Sequence, residues 1–197
     1  DTGALAAELP CVHAVGPGPH LRSAQVVVCA VKPQDFARVA ALYRECIAPS
    51  ALFISIMAGI STSVIASHLP EVSAIVRAMP NLPMTVTRGV TGFFAAAAVQ
   101  EAQRNTARTL LGVTGACIQI EREELMDAVT AVSGSGPAYF YHLTELLKEV
   151  AEGLGFTPDE AATLAHHTFI GAAELFRTTL EKSPHTSAGA LKAAVRS

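Results

Sequence analysis

The sequence predicts an α/β half built on a mostly parallel sheet, followed by an all-helical half. Three observations predict it. Short β-rich runs alternate with helical stretches as far as Glu121, the order expected of layered α/β structure. One of those runs, Val26–Val31, is apolar without a break, as in a central parallel strand buried on both faces. Beyond Glu121 no run reads as a strand, and apolar residues recur instead at helical spacing.

The strand Val26–Val31 ends at Lys32-Pro33-Gln34, and Asp35–Ile47 then carries Phe36, Val39, Ala40, Tyr43 and Ile47 on one helical stripe. Leu52–Met57 is the second strand, closed by Ala58-Gly59. Ser61 caps a short helix running to Leu69, its hydroxyl placed to accept a first-turn amide. Ile75–Met79 is the third strand, broken by Pro80-Asn81-Leu82-Pro83, and Val90–Ala95 is the fourth. The Gln100–Leu111 helix then leads to Gly115 and the strand Ala116–Ile120. Strand–helix–strand repeats favour parallel neighbours through right-handed crossovers. In the second half, Tyr139–Leu154 sets Phe140, Leu143, Leu147, Val150 and Leu154 on one stripe. A new helix starts at Thr157, which serves as N-cap, with Pro158 in the first turn and Glu160 closing a capping box. Ala161–Leu180 is apolar around most of its circumference. Such a helix must be covered on all sides. That points to a second subunit, with cover by the sheet half as the alternative.

Composition narrows the function classes. The 197 residues carry 14 Lys+Arg against 17 Asp+Glu, a formal charge of −3. They lack the clustered cations that phosphate neutralisation needs, so no nucleic-acid partner is expected. No apolar run approaches the ~20 residues of a membrane span, so no membrane partner is expected either. Cys11, Cys29, Cys46 and Cys117 are scattered with no CxxC pair, and adjacent His166 and His167 point about 100° apart on a helix. No metal site is expected. Unpaired, scattered thiols fit a reducing, cytoplasmic setting. The chain opens at Asp1 without Met, which reads as a truncated start.

In open parallel sheets, ligands sit beyond the carboxyl ends of the strands. Three such ends carry Pro or Gly: Lys32-Pro33-Gln34, Ala58-Gly59-Ile60-Ser61 and Met79-Pro80-Asn81-Leu82-Pro83. These residues keep the backbone near the sheet edge and leave room for a flat ligand. No GxGxxG opens a helix in the first half, so spacing alone does not assign a dinucleotide. Ser133-Gly134-Ser135-Gly136-Pro137 lies directly before the Tyr139–Leu154 helix. Its amides and hydroxyls can form an anion nest for a carboxylate, or its glycines can serve a tight interhelical turn. Both readings stand. Glu123, Glu124 and Asp127 precede it and read by default as solvated acids at a helix start.

Several segments together resemble the pyrroline-5-carboxylate reductase family. They are Ala30-Val31-Lys32-Pro33-Gln34, Ile56-Met57-Ala58-Gly59-Ile60, Val76 through Pro83, Asp127–Tyr139 (DAVTAVSGSGPAY), and Leu154-Gly155-Phe156 with Ala165–Ala173. VSGSGPAY is the specific signature, and the match runs with gaps from about Ser23 to the last residue. The resemblance implies a Rossmann-type dinucleotide-binding domain, here partial, over 1–121, and an all-helical dimerisation and substrate domain over 122–197. It also implies reduction of 1-pyrroline-5-carboxylate to L-proline, the last step of proline biosynthesis, with NADPH or NADH as cofactor. Homodimers that assemble into larger rings are implied too, with active sites shared between a nucleotide domain and the helices across the dimer.

Carried over residue by residue, the resemblance sets Val31, Lys32 and Pro33 against the ribose and nicotinamide, with Ala58 and Gly59 nearby. Met79, Pro80 and Asn81 form the floor beneath the nicotinamide. Glu123 matches an acid that contacts substrate and is the candidate group near the imine nitrogen. Ser135, Gly136 and Ser197 are the remaining substrate residues. The chemistry needs little acid–base help, because a protonated cyclic imine already accepts hydride at carbon; positioning is the protein's task.

This sequence departs from the family at both ends. No opening strand or Gly-rich phosphate turn precedes Asp1, and the chain stops at the Ser197 of a substrate-gripping loop. The 197-residue chain alone is therefore expected neither to hold pyrophosphate tightly nor to turn over. Two other readings stay open. One is an inactive reductase-like binding or scaffolding protein. The other is a β-hydroxyacid dehydrogenase relative with Lys148 as acid–base group, although Glu145, Glu149 and Glu152 around Lys148 read as a solvated face.

Overall fold

A computed structural model describes residue 16 and residues 18–195. They form two compact units, divided between Ser135 and Gly136. The first is built on a five-stranded sheet in the order β1-β2-β3-β4-β5, comprising Val26–Cys29, Leu52–Ser55, Ile75–Met79, Gly89–Ala95 and Gly115–Gln119. Helices α1 (Phe36–Tyr43), α2 (Thr62–His68) and α3 (Glu101–Gly112) connect them. The β1/β2, β2/β3 and β4/β5 pairs are parallel, and β3/β4 is antiparallel. The reason lies in the connection. Between Met79 and Gly89 there is only a short 3-10 turn, Leu82–Val86, and a parallel return needs a crossover of roughly a dozen residues or more.

Alternation along the strands divides the core into two layers. Phe53 and Ile75 pack with Phe36 and Ala40 of α1, Ile65 of α2 and Leu69 at its C-cap. Leu52, Ile54, Val76, Ala78 and Phe93 pack on the opposite face with Ala107 of α3. The hydroxyl of Ser61 accepts from the Val64 amide and caps α2. Burial pushes the Cys29 thiol up in pKa, so Cys29 is a core residue rather than a nucleophile. Among the described residues β1 ends the strand order and Val28 is exposed. An unbroken apolar run shows that a strand can be buried, not which position in the sheet it takes.

The second unit contains α5 (Gly136–Gly153), α6 (Pro158–Lys182) and α7 (Ala188–Ala194). The α6 start is the expected capping box: the Thr157 amide donates to Glu160 Oε2 at 2.9 Å, and the Glu160 amide donates to Thr157 Oγ1 at 3.4 Å. Ala161 and Ala165 are buried, and Phe140 and Tyr141 meet the Phe169 ring. Leu143, Leu147, Val150, Ile170 and Leu175 stay exposed. The α5/α6 pair therefore leaves a run of large apolar side chains exposed. The short α7, capped by Ser187, was not anticipated. Cys11 and Ser197 lie outside the described residues.

Candidate functional site

Because β1, β2 and β3 run parallel, their carboxyl ends lie on one edge of the sheet. Val31, Lys32 and Pro33 leave β1, with Pro33 opening a 3-10 turn. Ala58 and Gly59 follow β2; Gly59 has φ 73°, and nothing lies within 4 Å of where a Cβ would stand. Met79, Pro80 and Asn81 leave β3. Asn81 Oδ1 accepts from the Val90 amide at 2.9 Å, so the reversal into β4 is tied back to this edge. The edge thus combines an open glycine, prolines without N–H groups and one apolar Met side chain. That surface leaves room for a flat ligand.

After β5 the chain crosses the sheet face that carries Arg77, Met79 and Gly92, which are brought to one side by the pairings Arg77↔Phe94 and Met79↔Gly92. A 3-10 turn (Glu123–Leu125), a single helical turn α4 (Met126–Val129) and a π turn (Thr130–Gly134) lie end to end. Met126 is fully buried. A Cβ on Gly92 would stand 2.8 Å from Val129 Cγ1, and one on Gly134 would stand 2.7 Å from Met79 Cε. These two glycines let the segment approach the strands. Asn81 Nδ2 donates to the Ser133 carbonyl at 3.1 Å. The signature segment is therefore held against the ends of β3 and β4, and π turns of this kind recur at functional sites.

The hydrogen bonds separate the two readings of Ser133–Pro137. Ser133 Oγ donates to the Val129 carbonyl at 2.9 Å, and the Ser135 amide donates to the Thr130 carbonyl at 2.8 Å. Both groups serve the local turn rather than an outward nest, so the tight-turn reading holds for them. Gly136 is buried at the start of α5. Lys148 pairs with Glu152 at 2.9 Å, as the solvated-face reading expects.

Glu123 is not a solvated acid. Its Oε1 accepts from the Thr62 amide at 2.7 Å, its Oε2 from Thr62 Oγ1 at 2.6 Å, and Arg77 Nη1 lies 3.6 Å from Oε1. The Arg77 side chain is 7% exposed and also donates from Nη2 to Asp127 Oδ1 at 2.6 Å. Sequence reasoning singled out neither Arg77 nor Thr62. A signal was present: an arginine inside the apolar strand Ile75–Met79 must be paired to be buried. Among the described residues no group of His, Cys, Asp and Glu could hold a metal ion, and no helix is long and apolar enough to cross a membrane.

Comparison with known proteins places this geometry. Residues 123–197 match the family model described as pyrroline-5-carboxylate reductase dimerisation. The chain is 39% identical over 152 residues to the pyrroline-5-carboxylate reductase of Pseudomonas aeruginosa, covering 77% of this chain and 56% of that protein. It is 34% identical over 177 residues to the Mycobacterium tuberculosis reductase, covering 87% and 60%. Among solved structures it is similar to a pyrroline-5-carboxylate reductase from Coxiella burnetii (TM-score 0.78, 36% identity, 89% of this chain and 63% of that one). It is likewise similar to Plasmodium falciparum pyrroline carboxylate reductase with NADP bound (TM-score 0.75, 27% identity, 89% and 64%). The chain spans about half the length of the curated relatives it matches.

Proposed function

Because this chain belongs to the pyrroline-5-carboxylate reductase family, we propose that its protein reduces 1-pyrroline-5-carboxylate to L-proline with NADPH or NADH. The observation that carries the reading is the bond from Asn81 to the Ser133 carbonyl. It joins the strand-end edge suited to a nicotinamide to the signature segment assigned to the substrate. In this reading residues 1–121 supply the nucleotide side and residues 122–197 the substrate and dimer side.

When bound, the cofactor supplies the hydride. The chain's residues do the rest. Val31, Lys32, Pro33, Ala58 and Gly59 border the ribose and nicotinamide, and Met79, Pro80 and Asn81 form the floor. Glu123 faces the protonated imine nitrogen and favours its charged, reactive form, while Ser135, Gly136 and Ser197 hold the substrate. Hydride addition to the imine carbon turns the C=N bond into an amine already carrying its proton, so no nucleophile or metal is required. Fixing the two partners in near-attack geometry is the main contribution.

The exposed apolar surface of α5 and α6 supports self-association as a homodimer, with larger rings as a further step, and the scattered, unpaired thiols support a cytoplasmic setting. The test is nucleotide oxidation by the full-length protein, dependent on 1-pyrroline-5-carboxylate and matched by L-proline formation. Glu123→Gln is expected to lower turnover and change its pH profile. Nucleotide and imine left unconsumed by a folded, full-length dimer would instead favour the inactive binding-protein reading.

A further inference from the structure

We propose that Arg77 and Thr62 are positioning residues, holding the Glu123 carboxylate in a net-negative cluster that suits a protonated imine and tying it to the loop of Ala58 and Gly59. The proposal rests on the reductase reading above and adds two residues that it did not contain.

The argument starts with cost. A guanidinium 7% exposed inside a strand must be paired to be tolerated. Arg77 has two acidic partners, Glu123 at 3.6 Å and Asp127 at 2.6 Å. One cation between two carboxylates leaves a single negative charge uncompensated. Asp127 stays 78% exposed and Glu123 only 21%, so water screens the first far more than the second. The excess negative charge is therefore felt most strongly at Glu123, where a cationic ligand would meet it.

Orientation comes next. Thr62 donates to both carboxylate oxygens of Glu123, from its amide at 2.7 Å and its hydroxyl at 2.6 Å, which fixes the plane of the carboxylate. Each oxygen has a second lone pair, so the fixed carboxylate can still accept an N–H from a ligand. Thr62 opens α2 behind its N-cap Ser61, with two residues between it and the Ala58–Gly59 turn. A shift of the cofactor-side loop would therefore move the Glu123 anchor with it.

The experiment uses the full-length protein with NADPH and 1-pyrroline-5-carboxylate. Thr62→Val keeps the shape and the amide but removes the hydroxyl donor. It is expected to lower kcat about tenfold, the scale of one hydrogen bond to a charged group, with KM for NADPH unchanged. Thr62→Ser is expected to restore most of the loss. Arg77→Lys keeps the charge but cannot meet both carboxylates, and is expected to lower kcat as well. A second measurement needs neither cofactor nor substrate. The Thr62 amide, at a helix start where amides ordinarily lack partners, is expected to exchange slowly, and faster in Glu123→Ala. Wild-type turnover with kcat unchanged in Thr62→Val overturns the positioning role and leaves the reductase reading intact. A slowly exchanging Thr62 amide in a wild type that reduces no imine removes the reductase reading, and the catalytic role with it, while the anchor stands. Equal exchange in wild type and Glu123→Ala overturns the anchor itself.

Discussion

Gly92→Ala probes how closely the signature segment must lie on the sheet. The added methyl would stand 2.8 Å from Val129 Cγ1, 3.0 Å from Cγ2 and 3.5 Å from Cβ. Relaxed carbon–carbon contacts are about 3.5–4.0 Å, so something must retreat by roughly 0.7–1.2 Å. Rotating Val129 is no escape, since both of its methyls face the glycine and its χ1 is stiff. The α4 turn must therefore lift. Overpacking of this kind costs about 1–3 kcal/mol, and replacing a strand glycine returns about 0.5–1 kcal/mol. The net expectation is a loss of about 1–2 kcal/mol. Val129→Ala, which empties the space, costs ~1–2 kcal/mol by itself. In the double variant the two changes compensate, so its loss should fall about 1 kcal/mol or more short of their sum. Urea denaturation of the three variants measures this, with unchanged m-values showing that the native state is intact. Strict additivity, or a Gly92→Ala protein as stable as wild type, refutes the close approach. Turnover supplies a second readout, because lifting Val129 pulls Ser133 away from Asn81, now 3.1 Å apart.

Other expectations follow from single contacts. Asn81→Ala strips partners from the Ser133 carbonyl and the Val90 amide and should cost about 1–3 kcal/mol in denaturant. Asn81→Asp, which sets a carboxylate against that carbonyl, should cost more. Glu160 is held below its ordinary pKa by the Thr157 amide and then by the Thr157 hydroxyl. A folded-state pKa below the unfolded one stabilises the fold above the unfolded value and loses that stabilisation as pH falls through the folded one. The stability gap between wild type and Glu160→Gln should therefore shrink in acid. Leu143→Arg with Ile170→Arg, both on exposed apolar positions of α5 and α6, should yield monomers with unchanged helix content by sedimentation and circular dichroism; intact dimers would place the interface elsewhere.

Local chemistry was readable wherever one residue decides one bond. Ser61, Thr157 and Glu160 cap their helices as their types and spacing require, and all five strands lie on the β-rich runs, three of which stop at Pro or Gly. Long-range geometry was not. The antiparallel β4 follows from the short reversal after Met79, but a strand's direction leaves no mark on its own residues. The exposed position of β1 likewise depends on neighbours rather than on Val26–Cys29. At the site, the strand-end residues were legible from their Pro and Gly content. The partners of Glu123 were not, because Thr62 and Arg77 lie 61 residues and, by numbering, 46 residues away along the chain. Only the oddity of an arginine in an apolar strand hinted at them. The serines of the signature suggested an anion nest because type and order cannot distinguish an outward hydroxyl from one bonded to its own turn, as Ser133 is to Val129.

In the proposed reaction the strand-end edge and the signature segment together position a cyclic imine to receive hydride. Its most direct measurement follows deuterium from 4-deuterated NADPH, with the label on the transferred face, through the full-length protein and 1-pyrroline-5-carboxylate, reading the product by mass spectrometry. Label is expected on the ring carbon of L-proline that was the imine carbon, with the amount of labelled proline formed per unit time lower in Asn81→Ala and the label per proline unchanged. Proline formed without label, or labelled proline formed as fast in Asn81→Ala as in wild type, would contradict it.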